Sequence, residues 1–267
     1  MKARHKIIKK GKAHFEQFIS GRTASSEDPL PLTHITDAYD LRDIIKDRQI
    51  APRLCNVFDY DLSYYFYGRP AYRKNGDTQA NSLAAYAPIV LIFKPTISDD
   101  AIAAFPFDTG AFKGEKYSDV THHRMSVEDF GLEPSHENIG KIVAFFFGNN
   151  KNYYDQLPSQ KTKIGKNEFE AQSYQELITY RGKNERDDRS TTIEIIFDKS
   201  VELRTNLLAI VVPSSFLKDK AVKSRLQALH VHIRPYTDGA NLTPASQIPR
   251  LSDVVRHYYI EQGILKK

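Results

Sequence analysis

A single cysteine, Cys55, is the most telling scarcity in this chain. One thiol cannot close an internal disulfide, and it also excludes a cysteine-rich zinc module. Long apolar runs are missing too. The longest, Ala87–Phe93, contains Pro88 and falls far short of the roughly 20 residues that a membrane-crossing helix needs. No apolar core follows the basic N-terminus, so that segment does not read as a secretory signal. A Gly-x-Gly-x-x-Gly loop, a Walker phosphate loop and a Gly-x-Ser-x-Gly elbow are all absent. There is no internal repeat. These absences leave a soluble, cytoplasmic protein as the expectation.

What is present is ordinary globular material. Hydrophobic residues make up 40% and charged residues 27%, which excludes wholesale disorder. The 267 residues suit one large domain or two small ones. Net charge is +5, but it is unevenly placed. Residues 1–22 hold seven basic side chains (Lys2, Arg4, Lys6, Lys9, Lys10, Lys12 and Arg22) against Glu16, or +6, which leaves −1 for the remainder. The excess therefore belongs to an N-terminal arm. Ile7, Ile8, His14, Phe15, Phe18 and Ile19 recur near helical spacing within it. Two readings are equally open: the arm grips nucleic-acid phosphates or an acidic partner, or it docks by its apolar face. Ser20 to Pro31 reads as a linker, so the expected organisation is an arm and linker over 1–31 and a single domain over 32–267.

Within that domain, Leu32–Thr36 reads as a strand, and Asp37 offers an N-cap to a helix carrying Leu41, Ile44 and Ile45. Further strands are expected at Ile89–Phe93, Lys141–Phe147, Thr191–Phe197 and Leu207–Val212. Helices are expected at Asp99–Ala104, Tyr174–Thr179, Ser215–Leu229 and Ser252–Gly263. Strands and helices do not alternate regularly, which predicts a mixed α+β domain and not a doubly wound parallel sheet. His122-His123 and His230-x-His232 lack the spacing of a known metal site, so no metal is expected, and the second pair reads as one polar strand face. Cys55 carries no local protease signature and reads as a small buried hydrophobe.

Three features stand out. His34 lies on a strand just before a capped helix. An aromatic block, Tyr64-Tyr65-Phe66-Tyr67, runs into Gly68-Arg69-Pro70, a turn that can aim the guanidinium at a ligand. Glu194 sits in an otherwise apolar and β-branched run, where a carboxylate is costly unless exposed or purposeful. Composition alone favours an outward-facing Glu194 on a half-exposed strand.

In this order, the three features resemble the ADP-ribosyltransferase superfamily, and more closely the DarT-type toxins that modify nucleic-acid bases using NAD. The resemblance rests on His34-Ile35-Thr36 with Leu41-Arg42-Asp43-Ile44, on Tyr65-Phe66-Tyr67-Gly68-Arg69-Pro70, and on Glu194 followed by the strand Leu207–Val212. It covers about residues 32–73 and 186–213 and leaves 74–178 unaligned. Gly68-Arg69-Pro70 departs from the toxin family's usual arginine turn. Thr192 stands where arginine-directed transferases carry a second acid, which argues against arginine as the target.

The resemblance implies a split mixed or antiparallel sheet core of two packed sheets flanked by helices, with NAD as co-substrate. It implies Glu194 and Arg69 as catalytic residues, and His34, Thr36, Tyr65, Tyr67 and Arg69 around NAD. It also implies a target-recognition loop with Tyr180, Arg181, Arg186 and Arg189. The implied substrate is RNA or single-stranded DNA, and the implied setting is a toxin–antitoxin or anti-phage system with an antitoxin protein as partner. A protein target or simple NAD hydrolysis is the alternative. A non-catalytic nucleic-acid-binding module is the reading from another class.

Overall fold

The computed structural model of the protein describes residues 7, 13–71, 79, 83–160, 163–179, 188–239 and 242–266. The strands are β1 (Leu32–Asp37), β2 (Gln49–Ile50), β3 (Arg53–Cys55), β4 (Tyr60–Tyr67), β5 (Pro88–Phe93), β6 (Ala103–Phe105), β7 (Glu194–Phe197), β8 (Val201–Glu202), β9 (Leu207–Pro213) and β10 (His232–Tyr236). The helices are α1 (His14–Ser20), α2 (Ala38–Asp47), α3 (Thr109–Lys113), α4 (His136–Phe146), α5 (Asn150–Tyr154), α6 (Phe169–Thr179), α7 (Leu203–Asn206), α8 (Lys220–Gln227) and α9 (Ile248–Glu261).

The fold is α+β. Its main sheet has eight strands in the order β10-β9-β5-β1-β4-β7-β6, with β3 paired to β4, while β2 and β8 form a small antiparallel sheet. The main sheet is mixed. β9 and β10 run parallel, whereas β1–β4, β1–β5, β5–β9 and β6–β7 are antiparallel. β5 has neighbours on both sides and is buried at every position, which explains its unbroken apolar run.

Contacts divide the chain into two compact units. The first comprises Met1–Leu30, Pro52–Tyr64 and Ser98–Lys199. Its core is aromatic: Phe15 of α1 packs on Phe130, Phe146 and Tyr174 at ring distances of 5.9, 6.1 and 5.5 Å. The second comprises Pro31–Ala51, Tyr65–Ile97 and Ser200–Lys267, and is built on β1, β5 and β9. In it, Asp37 caps α2 by accepting from Asp40 N–H at 2.9 Å, as the sequence predicts.

Several elements differ from expectation. Lys141–Phe147, read as a strand, belongs to helix α4. Ser135 caps that helix by accepting from Asn138 N–H at 3.1 Å. Ile139, Ile142, Val143 and Phe146 then fall on its buried side, and Lys141 pairs with Glu137 one turn back at 2.6 Å. Asp99–Ala104, read as a helix, splits between a 3₁₀ turn over Pro95–Asp100 and strand β6. Ser215–Leu229 is a 3₁₀ turn over Ser214–Lys218 followed by α8, which is capped by Asp219.

In the N-terminal segment the described residues dock by their apolar side. Phe15, Phe18 and Ile19 are buried, Glu16 accepts from Glu133 N–H at 2.9 Å, and the Arg22 guanidinium lies 4.1 Å from the Phe18 ring centroid. Lys2, Arg4, Lys6, Lys9, Lys10 and Lys12 lie outside the described residues. No helix among the described residues is long and apolar enough to cross a membrane.

Candidate functional site

Glu194 belongs to the first unit. The chain enters β7 through a 3₁₀ turn, Asp188–Thr191, and just after it Thr192 Oγ1 donates back to Asp188 O at 2.6 Å. Ile193 N–H then donates to the Tyr153 hydroxyl at 2.9 Å. This places Glu194 as the first residue of the strand, facing Phe105 across the antiparallel β6–β7 ladder. All four β7 residues are buried, and Glu194 itself is 2% exposed. The outward-facing position that composition favours is therefore wrong. A strand that is covered on both faces leaves no wet side for the carboxylate.

The chain leaving β6 supplies its partner. Three residues beyond Phe105, Asp108 caps α3, with Oδ1 accepting from Ala111 N–H at 2.6 Å. Asp108 N–H donates to Arg189 O at 3.1 Å, tying this corner to the turn before β7. Thr109, first in α3, donates from Oγ1 to Glu194 Oε1 at 2.6 Å and from its N–H to the same oxygen at 3.4 Å. Burial and the Asp108 carboxylate push the Glu194 carboxyl well above the usual carboxylate range. The Thr109 hydrogen bonds oppose that rise, and Cys55 adds slightly to it. Cys55 is buried, accepting at Sγ from Val57 N–H at 3.2 Å and from the Tyr64 hydroxyl. The result is a buried acid cluster in which the neutral form of the Glu194 carboxyl is favoured.

His34, Thr36, Tyr65, Tyr67 and Arg69 all belong to the second unit. His34 is half-buried on β1, its ring 5.2 Å from that of Tyr65. Tyr65 also meets Phe93 edge-on at 5.4 Å, and Tyr67 and Thr36 are buried. After β4 the chain turns as Gly68-Arg69-Pro70 predicts. Gly68 has φ +67°, in the left-handed region that suits glycine. Its N–H donates to Pro31 O at 2.8 Å, its carbonyl accepts from the Tyr259 hydroxyl of α9 at 2.9 Å, and Arg69 N–H closes the turn onto Tyr67 O at 2.7 Å. Arg69 is 1% exposed, among the largest fully buried side chains of the chain.

Of the expected recognition residues, Arg189 is half-buried in the turn before β7. Tyr180, Arg181 and Arg186 lie outside the described residues. The His122 and His123 ring centroids lie 4.2 Å apart in the first unit, with the rings tilted by 36°, and His122 lines an open cavity with His14, Arg124, Phe169 and Glu176. His230 adopts φ +55° ahead of β10, so His230 and His232 do not share one strand face. No group of three or more metal-binding side chains forms among the described residues.

The residues that sequence reasoning missed are Asp108 and Thr109. Asp108 bears a visible cap signal, an acid directly before the short helix. Nothing local reports the contact with Glu194, which spans 85 positions. Comparison with protein-family models, curated proteins and solved structures returned no match.

Proposed function

We propose that the chain is an NAD-dependent ADP-ribosyltransferase with a fold of that superfamily, and that it moves ADP-ribose onto a base of RNA or single-stranded DNA. The ordered set of His34, Arg69 and Glu194 supports the class. The observation that carries the reading is Glu194: a carboxyl with 2% exposure at the head of an otherwise apolar strand, held by Thr109 and beside a second acid. Such a group is retained at a cost in desolvation, and groups of this kind cluster at functional sites.

In the proposed reaction a base nitrogen attacks the anomeric carbon of the nicotinamide ribose. The carbon–nitrogen bond to nicotinamide breaks, and its electron pair leaves with neutral nicotinamide. The proton displaced from the attacking nitrogen passes to a carboxylate. Because the transition state resembles an oxocarbenium ion, an adjacent carboxylate also stabilises its charge. Glu194 takes both roles in its ionised form. Its raised titration therefore makes transfer increase with pH above the ordinary carboxylate range.

The half-buried imidazole of His34, with Thr36 behind it, is assigned to a ribose hydroxyl, and the Tyr65 or Tyr67 face to nicotinamide. Arg69 is assigned to phosphates or the incoming base, because its guanidinium offers paired donors. Both Glu194 and Arg69 are nearly fully covered, so on this reading ligand binding uncovers them. Cytoplasmic location, an antitoxin partner and a role in phage defence belong to the same proposal and rest on the resemblance.

The test is incubation with NAD labelled in its adenylate half, in the presence of separate pools of RNA, single-stranded DNA and protein. Label is expected in one nucleic-acid pool and absent with Glu194→Gln. Label in protein alone, or free ADP-ribose, would select the protein-target or hydrolase alternative. A Glu194→Gln chain as active as the parent would reduce Glu194 to a core acid.

A further inference from the structure

We infer that Thr109 is the positioning residue of the proposed transfer, holding the Glu194 carboxyl in one orientation at the head of β7. The inference rests on the transferase reading of Glu194 and deepens it. Glu194 Oε1 accepts both the hydroxyl and the backbone N–H of Thr109, at 2.6 and 3.4 Å. With one oxygen so engaged, Oε2 is left as the oxygen that carries or accepts the proton. A threonine hydroxyl fixes the carboxyl plane, and an acid held in one orientation needs no reorganisation during reaction.

The surroundings of Thr109 are built to this end. The β6–β7 register sets Phe105 opposite Glu194, and the three residues that follow Phe105 fold back so that α3 begins over the start of β7. Asp108 fixes the first turn of α3 through Ala111 N–H, and its own N–H holds Arg189 O. Glycine at position 110 leaves the cap room. A Cβ added to Gly110 would lie 3.1 Å from Asp108 Oδ1 and press on the cap. Asp108, Thr109 and Gly110 thus act as cap, clamp and clearance. Among the described residues, the ionisable groups that act on Glu194 are Asp108 and, more weakly, Cys55, whose Sγ accepts from the Tyr64 hydroxyl. Phe105, across the ladder, is apolar.

Thr109 and Asp108 act on Glu194 in opposite directions. Thr109 favours its ionised form, and Asp108 opposes it. Opposite shifts of one pH profile are a signature that loss of packing does not produce. The experiment measures nicotinamide release from NAD against pH, in the presence of both RNA and single-stranded DNA as acceptors, with full-length parent, Thr109→Val, Thr109→Ser and Asp108→Asn, and a thermal melt of each. Thr109→Val should lower kcat about tenfold or more with KM for NAD held within about twofold, and should move the profile to higher pH. Thr109→Ser should restore rate and profile. Asp108→Asn, which keeps a capping side chain, should move the profile to lower pH. A Thr109→Val chain with the parent's rate and profile would overturn the inference. So would a fall in melting temperature with no shift in profile, or a Thr109→Ser chain no better than valine. A parent that releases no nicotinamide would instead overturn the transferase reading, and the positioning role would fall with it.

Discussion

The first unit buries an acid and the second buries a base, and the two solve the problem of a dry charge differently. Glu194 can shed its charge: burial and Asp108 favour the neutral carboxyl, while the Thr109 hydrogen bonds to one oxygen oppose them. Arginine has no such exit, because a guanidinium keeps its proton across the working range. Arg69 lies in a turn tied by Gly68 N–H to Pro31 O, by Arg69 N–H to Tyr67 O and by the Tyr259 hydroxyl to Gly68 O. An acid may be buried by changing its protonation, whereas an arginine can be buried only by building around it.

Substitutions can break that comparison. The largest effect should come from Glu194→Gln, with transfer reduced about a hundredfold or more while the melting temperature near neutral pH is held. Glutamine matches the shape of the neutral carboxyl that burial favours, so a collapse of the fold would show that the charge was needed after all. Next is Arg69→Ala. The Arg69 side chain is fully buried, so its loss acts on stability as well as on activity. The truncation should cost about 3 kcal/mol, seen as a melting temperature lower by about 5–10 °C. Arg69→Lys keeps the charge and loses the planar fork, and should recover part of the stability but little activity.

Stability against pH separates the two sites further. The folded-state titration of Glu194 lies above its unfolded value near 4.3. Between the two, the folded chain holds a proton that the unfolded chain has lost, so this group's contribution falls as pH rises. Glu194→Gln should flatten that slope in pH-dependent melts, and an unchanged slope would assign it elsewhere. The smallest effect is expected at the helix caps. Ser135→Ala in the first unit and Asp37→Ala in the second should each cost about 1 kcal/mol in denaturant titrations.

The N-terminal segment calls for a different cut from the one its charge invites. Deleting residues 1–22 would take Phe15 and Ile19 out of the first unit's core along with the lysines. Replacing Lys2, Lys6, Lys9, Lys10 and Lys12 with glutamine removes charge alone. If the arm holds nucleic acid, this should weaken salt-sensitive binding while sparing NAD cleavage.

Local chemistry made parts of the molecule legible. The Asp37 cap, the Gly-Arg-Pro turn and strand β5 are each encoded within a few residues, and each is found where expected. The α4 segment misled because Ile142-Val143-Ala144-Phe145-Phe146-Phe147 is apolar at every step and fits either period. The deciding signals, Ser135 and Ile139, lie upstream of that run. β6 is three residues long and exists because β7 pairs with it, a fact absent from its own sequence. The candidate site shows the same division. Glu194 is conspicuous by residue type, whereas Thr109 is marked only by a contact that the sheet creates.

The Tyr259–Gly68 hydrogen bond has a consequence during synthesis. The arginine turn is translated early, but the hydroxyl that secures it arrives 191 residues later, in the last helix. At about 5–20 residues per second that interval is roughly 10–40 s. Throughout it a ribosome-bound chain carries the Arg69 turn without its Tyr259 tie. The arginine turn therefore gains this tie only when translation is nearly finished, and a chain terminated before residue 259 never gains it.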